Sequence, residues 1–264
     1  KTNYVIGFGC YVQSTATLKS SKTLSLVIPK MNPMKMACRQ LILALFVLAS
    51  FTLSAQSDVK DFRLGASASI LNDECIRLTP DLPYASGSAW YEKPIDLSGP
   101  FEMVVCLVLG EKDGEGADGI AFVFHPTMRT GWRGEGMGFS GLAPSLGIEF
   151  DTYQNYHLAD PEADHLAIMP NGQAYHGFSL LGPINLANLE DGEKHLLRIT
   201  WDPLKQELRV ELDNEERALL KADIINGIFE GNSIVYWGVT AATGRLSNYQ
   251  DICIKKLVYA GVEK

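Results

Sequence analysis

The sequence has no stretch of the roughly 20 consecutive apolar residues that a membrane-spanning helix needs. Its longest apolar run, Leu41 to Leu53, covers about 13 residues, with Lys35 and Arg39 before it and small Ser54 and Ala55 after it. Long segments of helical period are missing too, which weighs against a helical bundle or an α/β fold. Cysteine is scarce: there are five, with no CxxC pair and no Cys/His cluster, so a structural zinc site is not expected. Basic residues are the minority, 23 against 31 acids. Six of the 23 and none of the acids fall in residues 1–55, so the remainder holds 17 bases against 31 acids, a net charge of −14. A surface this acidic repels phosphate backbones, and nucleic acid is not an expected partner.

The basic, apolar and small-residue order in MKMACRQLILALFVLASFTLSAQ, from Met34, is the layout of a secretory signal peptide. Residues 31–55 are therefore expected to be removed near Ala55, leaving a secreted, cell-surface or periplasmic product without a membrane span. Residues 1–30 precede the first methionine, Met31, and read as an over-extended upstream segment. Of the three cysteines after the leader (Cys75, Cys106 and Cys253), one disulfide with one buried thiol is allowed, and so is no disulfide.

Residues 56–264 form one expected domain. Alternating apolar residues recur in FRLGASASI, FEMVVCLVL, GIAFVF, HLLRITW, ELRVELD and IVYWGVTA, with turn clusters such as KDGEGADG, MPNGQ and LDNEE between them. Only ALLKADIINGIF suggests a helical turn or two. Many short strands with glycine-rich turns indicate an all-β sandwich or barrel.

One stretch carries unusual chemistry. In SLGIEFDTYQN a regular strand would point Glu149, Asp151, Tyr153 and Asn155 to one side and Ile148, Phe150 and Thr152 to the other. The following loop adds Asp160 and His165. Calcium takes six to eight oxygens from carboxylates, amides and carbonyls, while a transition ion such as manganese accepts an imidazole beside carboxylates. A solvated acidic strand end explains each acid singly, but not all of these residues together.

The pattern EFDTYQN…DP…H resembles the metal-binding signature of the legume-type (L-type) lectins. GSAWYEKPIDL (87–97), GADGIAFVF (116–124), GEGMGF (134–139) and WGVTAATG (237–244) are similar, in order, to further segments of that family. The resemblance covers essentially all of 58–262. It implies a jelly-roll β-sandwich of two large antiparallel sheets and a glycan-binding protein, not an enzyme. Glu149, Asp151, Asp160 and His165 would hold a manganese-like ion; Asp151, the Tyr153 carbonyl, Asn155 and Asp160 would hold calcium. Sugar would meet Asp118, the Asn155 amide, a backbone amide near Gly136, the Tyr153 ring and Arg245 in the specificity loop, with a cis peptide at Ala117–Asp118. Pairing of two copies through their back sheets is a further implication.

Two rivals stand beside this reading. A glucanase of the same fold would need a second glutamate where this chain has Gln154, which cannot exchange a proton near neutral pH. The third is an interaction module of a larger surface assembly. Trp132, Tyr156, Tyr175, His176 and Tyr249 could line the site, but loop aromatics usually pack. Trp90, Trp201 and Trp237 are expected in the core, and His125, His157 and His195 show no catalytic partner pattern.

Overall fold

The computed structural model describes residues 59–259. The expected leader at 31–55 and the upstream segment 1–30 lie outside the described residues. In chain order the strands are β1 (Phe62–Ala66), β2 (Ser69–Ile70), β3 (Cys75–Thr79), β4 (Ser86–Tyr91), β5 (Ile95–Asp96), β6 (Phe101–Val108), β7 (Gly119–His125) and β8 (Leu146–Asp151). They continue as β9 (His165–Pro170), β10 (Leu181–Asn185), β11 (His195–Asp202), β12 (Glu207–Leu212), β13 (Glu215–Lys221), β14 (Ile234–Ala242) and β15 (Gln250–Tyr259). One short helix, α1 (Ile224–Gly227), falls inside ALLKADIINGIF, and the Asp223 carboxylate caps it by accepting from the Asn226 amide.

The strands build a jelly-roll sandwich of two antiparallel sheets. The larger runs β1-β4-β14-β7-β8-β9-β10, with β5 on β14, and the smaller runs β13-β12-β11-β6-β15-β3-β2. Period-two alternation is clearest in the smaller sheet. Leu197, Ile199 and Trp201 of β11 and Leu208, Val210 and Leu212 of β12 face inward. Arg198, Glu102, Glu211 and Lys256 pair on the outer face. The inner faces meet in one core, where Met103, Val105 and Leu107 oppose Ile120, Phe122, Phe124, Ile148 and Phe150. Trp90, Trp201 and Trp237 are all buried, as expected. Each fully buried aliphatic or aromatic side chain there contributes about 1.5–3 kcal/mol relative to exposure.

The larger sheet departs from simple alternation: β7 and β8 are buried on both faces. The segment between them folds back over the outer face and packs Met137, Phe139 and Leu142 against Ala121, Val123, Ala167 and Met169. This second, smaller apolar layer is why Glu149 and Asp151, although on the outward side of β8, do not meet water. Gly119 permits the tight β7–β8 approach, since a Cβ there would stand 2.3 Å from the Phe150 carbonyl oxygen.

Cys75 and Cys253 are bridged, and Cys106 is a free buried thiol, which selects the first of the two cysteine states the sequence allowed. Cys253 lies in register with Cys75 on one side and Cys106 on the other, so all three sulfurs share one face. Among the described residues no helix is long and apolar enough to cross a membrane.

Candidate functional site

The site sits where β7, β8 and β9 end together. In register, Asp151 pairs with Gly119 on one side and with His165 on the other, while Glu149 pairs with Ala121 and Ala167. β8 stops at Asp151, so Tyr153 and Asn155 are loop residues and do not continue the ligand row along a regular strand. The chain turns because backbone amides reach back to the carboxylates. Tyr153 N–H donates to Asp151 Oδ1 at 2.8 Å and Asn155 N–H donates to Asp160 Oδ2 at 2.7 Å. Gln154 does not face the core. Its amide closes the same loop by donating to the Asp160 carbonyl.

Four buried groups converge in this corner: Glu149, Asp151, Asp160 and His165, none more than 7 % exposed. Asp151, Asp160 and His165 bring their ligand atoms within 4.8 Å of one another, and so do Glu149, His165 and His176. His165 Nδ1 faces the Ala163 carbonyl at 3.2 Å, which leaves Nε2 aimed inward, buried and unpartnered. Asn155 Oδ1 is likewise buried without a hydrogen bond, and Asp160 Oδ1 has only the His176 imidazole beside it, 2.9 Å away. Buried polar atoms are rarely left so, which makes this corner a candidate cation site.

The electrostatics agree. Burial pushes the Asp151 carboxyl well above its usual range, with Glu149, Asp160 and Asp118 adding repulsion, while the Tyr153 amide opposes. Burial also raises Glu149, against the pull of His176. The His165 imidazole is driven down to about 4 by burial and by the neighbouring His176. Burial would lower His176 as well, but Asp160 and Glu149 outweigh it and hold it at about 9.

Beside the acidic corner lies a pocket of about 170 Å³ lined by Ala117, Asp118, Glu135, Tyr153, Asn155, Gly244, Arg245 and Leu246. The Ala117–Asp118 peptide is cis. Its flanks are clamped: Asp118 N–H donates to the Ala242 carbonyl, Thr152 N–H donates to the Asp118 carbonyl, and the Gln250 amide donates to the Ala117 carbonyl. The Asp118 carboxylate is 4 % exposed, and its Oδ2 has no partner. Burial lifts it to about 7, with Glu135 adding to the shift. Gly136 is not in this pocket; it lines an adjoining cleft of about 400 Å³ with Trp132 and Tyr175, and Glu135 borders both.

One residue matters more than its sequence context suggested. His176, placed with the packing aromatics, is buried inside the acidic corner, with Nε2 donating to Glu149 Oε1 at 2.6 Å. Trp132 and Tyr156 instead stand exposed. His125 is satisfied by Thr127, His157 pairs with Glu135, and His195 lies between Asp191 and Asp213.

Residues 49–256 match the family model of the legume lectin beta-barrel domain. Pesticidal crystal protein Cry22Aa of Bacillus thuringiensis is 27 % identical over 241 residues, covering 77 % of this chain and 33 % of that protein. A putative L-type lectin-domain containing receptor kinase I.1 of Arabidopsis thaliana is 25 % identical over 228 residues, covering 74 % and 32 %. The chain thus spans about a third of the length of these relatives. Among solved structures, lectin II from Ulex europaeus superposes with a TM-score of 0.65 at 19 % identity, over 79 % of this chain and 95 % of that one. The exoplasmic/lumenal domain of VIP36, in a Ca2+/Man-bound form, gives 0.61 at 24 % identity, over 77 % and 85 %. At these identities the structural likeness speaks for the fold.

Proposed function

The chain belongs to the legume (L-type) lectin domain family, and from that membership we propose that it is an exported, metal-dependent glycan-binding protein whose sugar site is the pocket over Asp118. The observation that carries this reading is the gathering of Asp118, Tyr153, Asn155 and Arg245 around one pocket, whose Tyr153 and Asn155 belong to the loop tied by its amides to Asp151 and Asp160. A sugar presents hydroxyls at its edge and C–H groups on its face. Asp118 accepts from two hydroxyls, the Asn155 amide donates to a third, and the Tyr153 ring covers the apolar face. A backbone amide near Gly136 reaches the ligand from the adjoining cleft.

The donor set in the corner fits ions. Glu149, Asp151, Asp160 and His165 would hold a manganese-like ion, and Asp151, the Tyr153 carbonyl, Asn155 and Asp160 would hold calcium. The unpartnered Asn155 Oδ1 and His165 Nε2 support this. When bound, the ions supply positive charge that offsets the buried carboxylates and fixes the loop carrying Tyr153 and Asn155.

A hydrolytic role is disfavoured by Gln154 and by burial, because Glu149 is 2 % exposed and turned toward His176. A substrate bond cannot reach it. The domain can equally serve as the glycan-reading module of a longer surface protein. Pairing of copies through the smaller sheet would cover the Arg198–Glu102–Lys256 network.

The test is a glycan array probed with calcium and manganese present and then with a chelator. Binding that disappears on chelation and returns with the ions supports the reading. Absence of any glycan signal from metal-loaded protein overturns it.

A further inference from the structure

We infer that His176 is a metal ligand, making the transition-ion position a two-histidine site that prefers a zinc- or cobalt-type ion to manganese. This rests on the metal-dependent reading above and changes which ion that reading expects.

The loop around His176 inverts the usual preference of side chains. Tyr175, Phe178 and Leu180 are 44, 61 and 38 % exposed, whereas the imidazole between them is 6 % exposed. Apolar side chains are ordinarily the ones buried, so packing alone does not explain the inversion. A short turn at His176–Phe178, with Ser179 N–H donating to the His176 carbonyl, aims the ring down onto β8 and β9.

Once there, the two ring nitrogens are in different situations. Nε2–H donates to Glu149 Oε1 at 2.6 Å. In the ion-free protein the ring is the cation between Glu149 and Asp160, and a metal that displaces the Nδ1 proton takes up the lone pair left there. Nδ1 lies 2.9 Å from Asp160 Oδ1, yet the two atoms are not aligned as a hydrogen bond and both are otherwise unpartnered. A metal that displaces the Nδ1 proton would find Asp160 Oδ1 already converging with it, as ligand atoms do. The bare Nε2 of His165 belongs to the same cluster, and the two rings meet edge to face at 4.9 Å between centroids. Glu149, hydrogen-bonded to Nε2, then orients the new ligand in the carboxylate–histidine–metal manner in place of ligating the ion itself, and the Ala163 carbonyl does the same for His165.

The consequence is selectivity. One imidazole among carboxylates suits manganese, which favours oxygen donors; a second imidazole moves the site toward the later first-row ions, for which N-donor affinity is higher.

The test uses the full chain, stripped with a chelator and returned to excess calcium, then titrated calorimetrically with Mn2+, Co2+ and Zn2+. Parent protein should favour Zn2+ and Co2+ over Mn2+. His176→Gln should lose at least tenfold in Zn2+ affinity, with little change for Mn2+. X-ray absorption of the zinc-loaded parent, which requires no variant to fold, should count two imidazoles. One imidazole, or His176→Gln with unchanged Zn2+ affinity and an unchanged Zn2+/Mn2+ ratio, overturns the assignment of His176 alone. A parent that binds none of the three ions overturns the transition-metal half of the proposed function as well.

Discussion

Replacing Asp118 by asparagine keeps shape and volume but removes a buried charge, so it should move stability and sugar binding in opposite directions. Burial raises the carboxyl from 3.8 to about 7 in the folded chain. An acid raised in this way costs nothing below its unfolded value and destabilises the fold increasingly as pH rises. Between pH 4 and 7 the cost grows by about 1.4 kcal/mol per pH unit. It levels off near 4 kcal/mol, as an order of magnitude. In protein stripped of ions, Asp118→Asn should therefore melt with the parent near pH 4 and above it at pH 8. At about 2–4 °C per kcal/mol for a domain of this size, the gain at pH 8 is on the order of 10 °C. With ions bound the gain should shrink, since a neighbouring cation already favours the charged form. Sugar affinity should fall more than tenfold, because each hydrogen bond to a charged acceptor contributes about 1.5–3 kcal/mol and an amide accepts on one side only. Differential scanning calorimetry across pH and titration with a glycan hit give both numbers. A variant that binds sugar like the parent, or is less stable at pH 8 than at pH 4 relative to it, refutes the reasoning and returns Asp118 to an ordinary turn residue.

Chelation should lower the melting temperature, and the gap between loaded and stripped protein should widen from pH 5 to 8. Raised Asp151 and Glu149 become costlier as they ionise, and His176, held at about 9, loses its favourable charge as pH rises. Melts at several pH values check this, and a constant gap would contradict it. Asp151→Ala should lose both ions by elemental analysis while remaining folded by circular dichroism. Purified protein should release no reducing ends from β-glucans; release that vanishes in Glu149→Gln would reinstate the hydrolase. Cys75→Ser opens a link spanning 178 residues and should cost up to about 5 kcal/mol by chain entropy, read as a drop in denaturation midpoint. Re-pairing of Cys106 with Cys253, detectable by peptide mapping, would reduce that loss.

The sandwich was legible because the smaller sheet exposes one face, and alternation in FEMVVCLVL, HLLRITW and ELRVELD reports that directly. The larger sheet was legible as strands but not as a double-sided burial. The covering layer of Met137, Phe139 and Leu142 comes from a glycine-rich segment whose period carries no strand or helix signal. Within the site, the close spacing of Glu149, Asp151, Asn155, Asp160 and His165 made the acidic corner visible. Their strand geometry was not visible, because backbone amides captured by Asp151 and Asp160 end β8 two residues before Tyr153. His176 was read only as a loop residue that could line the site, and for a different reason. Its position depends on the loop after β9 folding back over Glu149, with Asn171 and Gly172 both in the left-handed region. The available hint was the MPNGQ turn, which reverses the chain soon after a strand that begins at His165.

On the proposed reading the stability cost and the recognition chemistry fall on the same few residues. Asp118, Glu149 and Asp151 sit on the most buried strands of the larger sheet or at their ends, where an apolar residue of similar size would strengthen the core. The covering loop that packs Phe139 and Met137 lowers the local dielectric further, so each carboxylate interacts strongly with whatever charge lies beside it. Without a cation the neighbours are mainly other acids, and only His176 answers them. With cations between them, the same burial that raised Asp151 strengthens its attraction to the ions. The loop bearing Tyr153 and Asn155 is then held by contacts that do not exist in the unfolded chain. On the proposed reading glycan binding would depend on ions filling this corner, and the pairing of β7, β8 and β9 is what keeps the acids from relaxing apart.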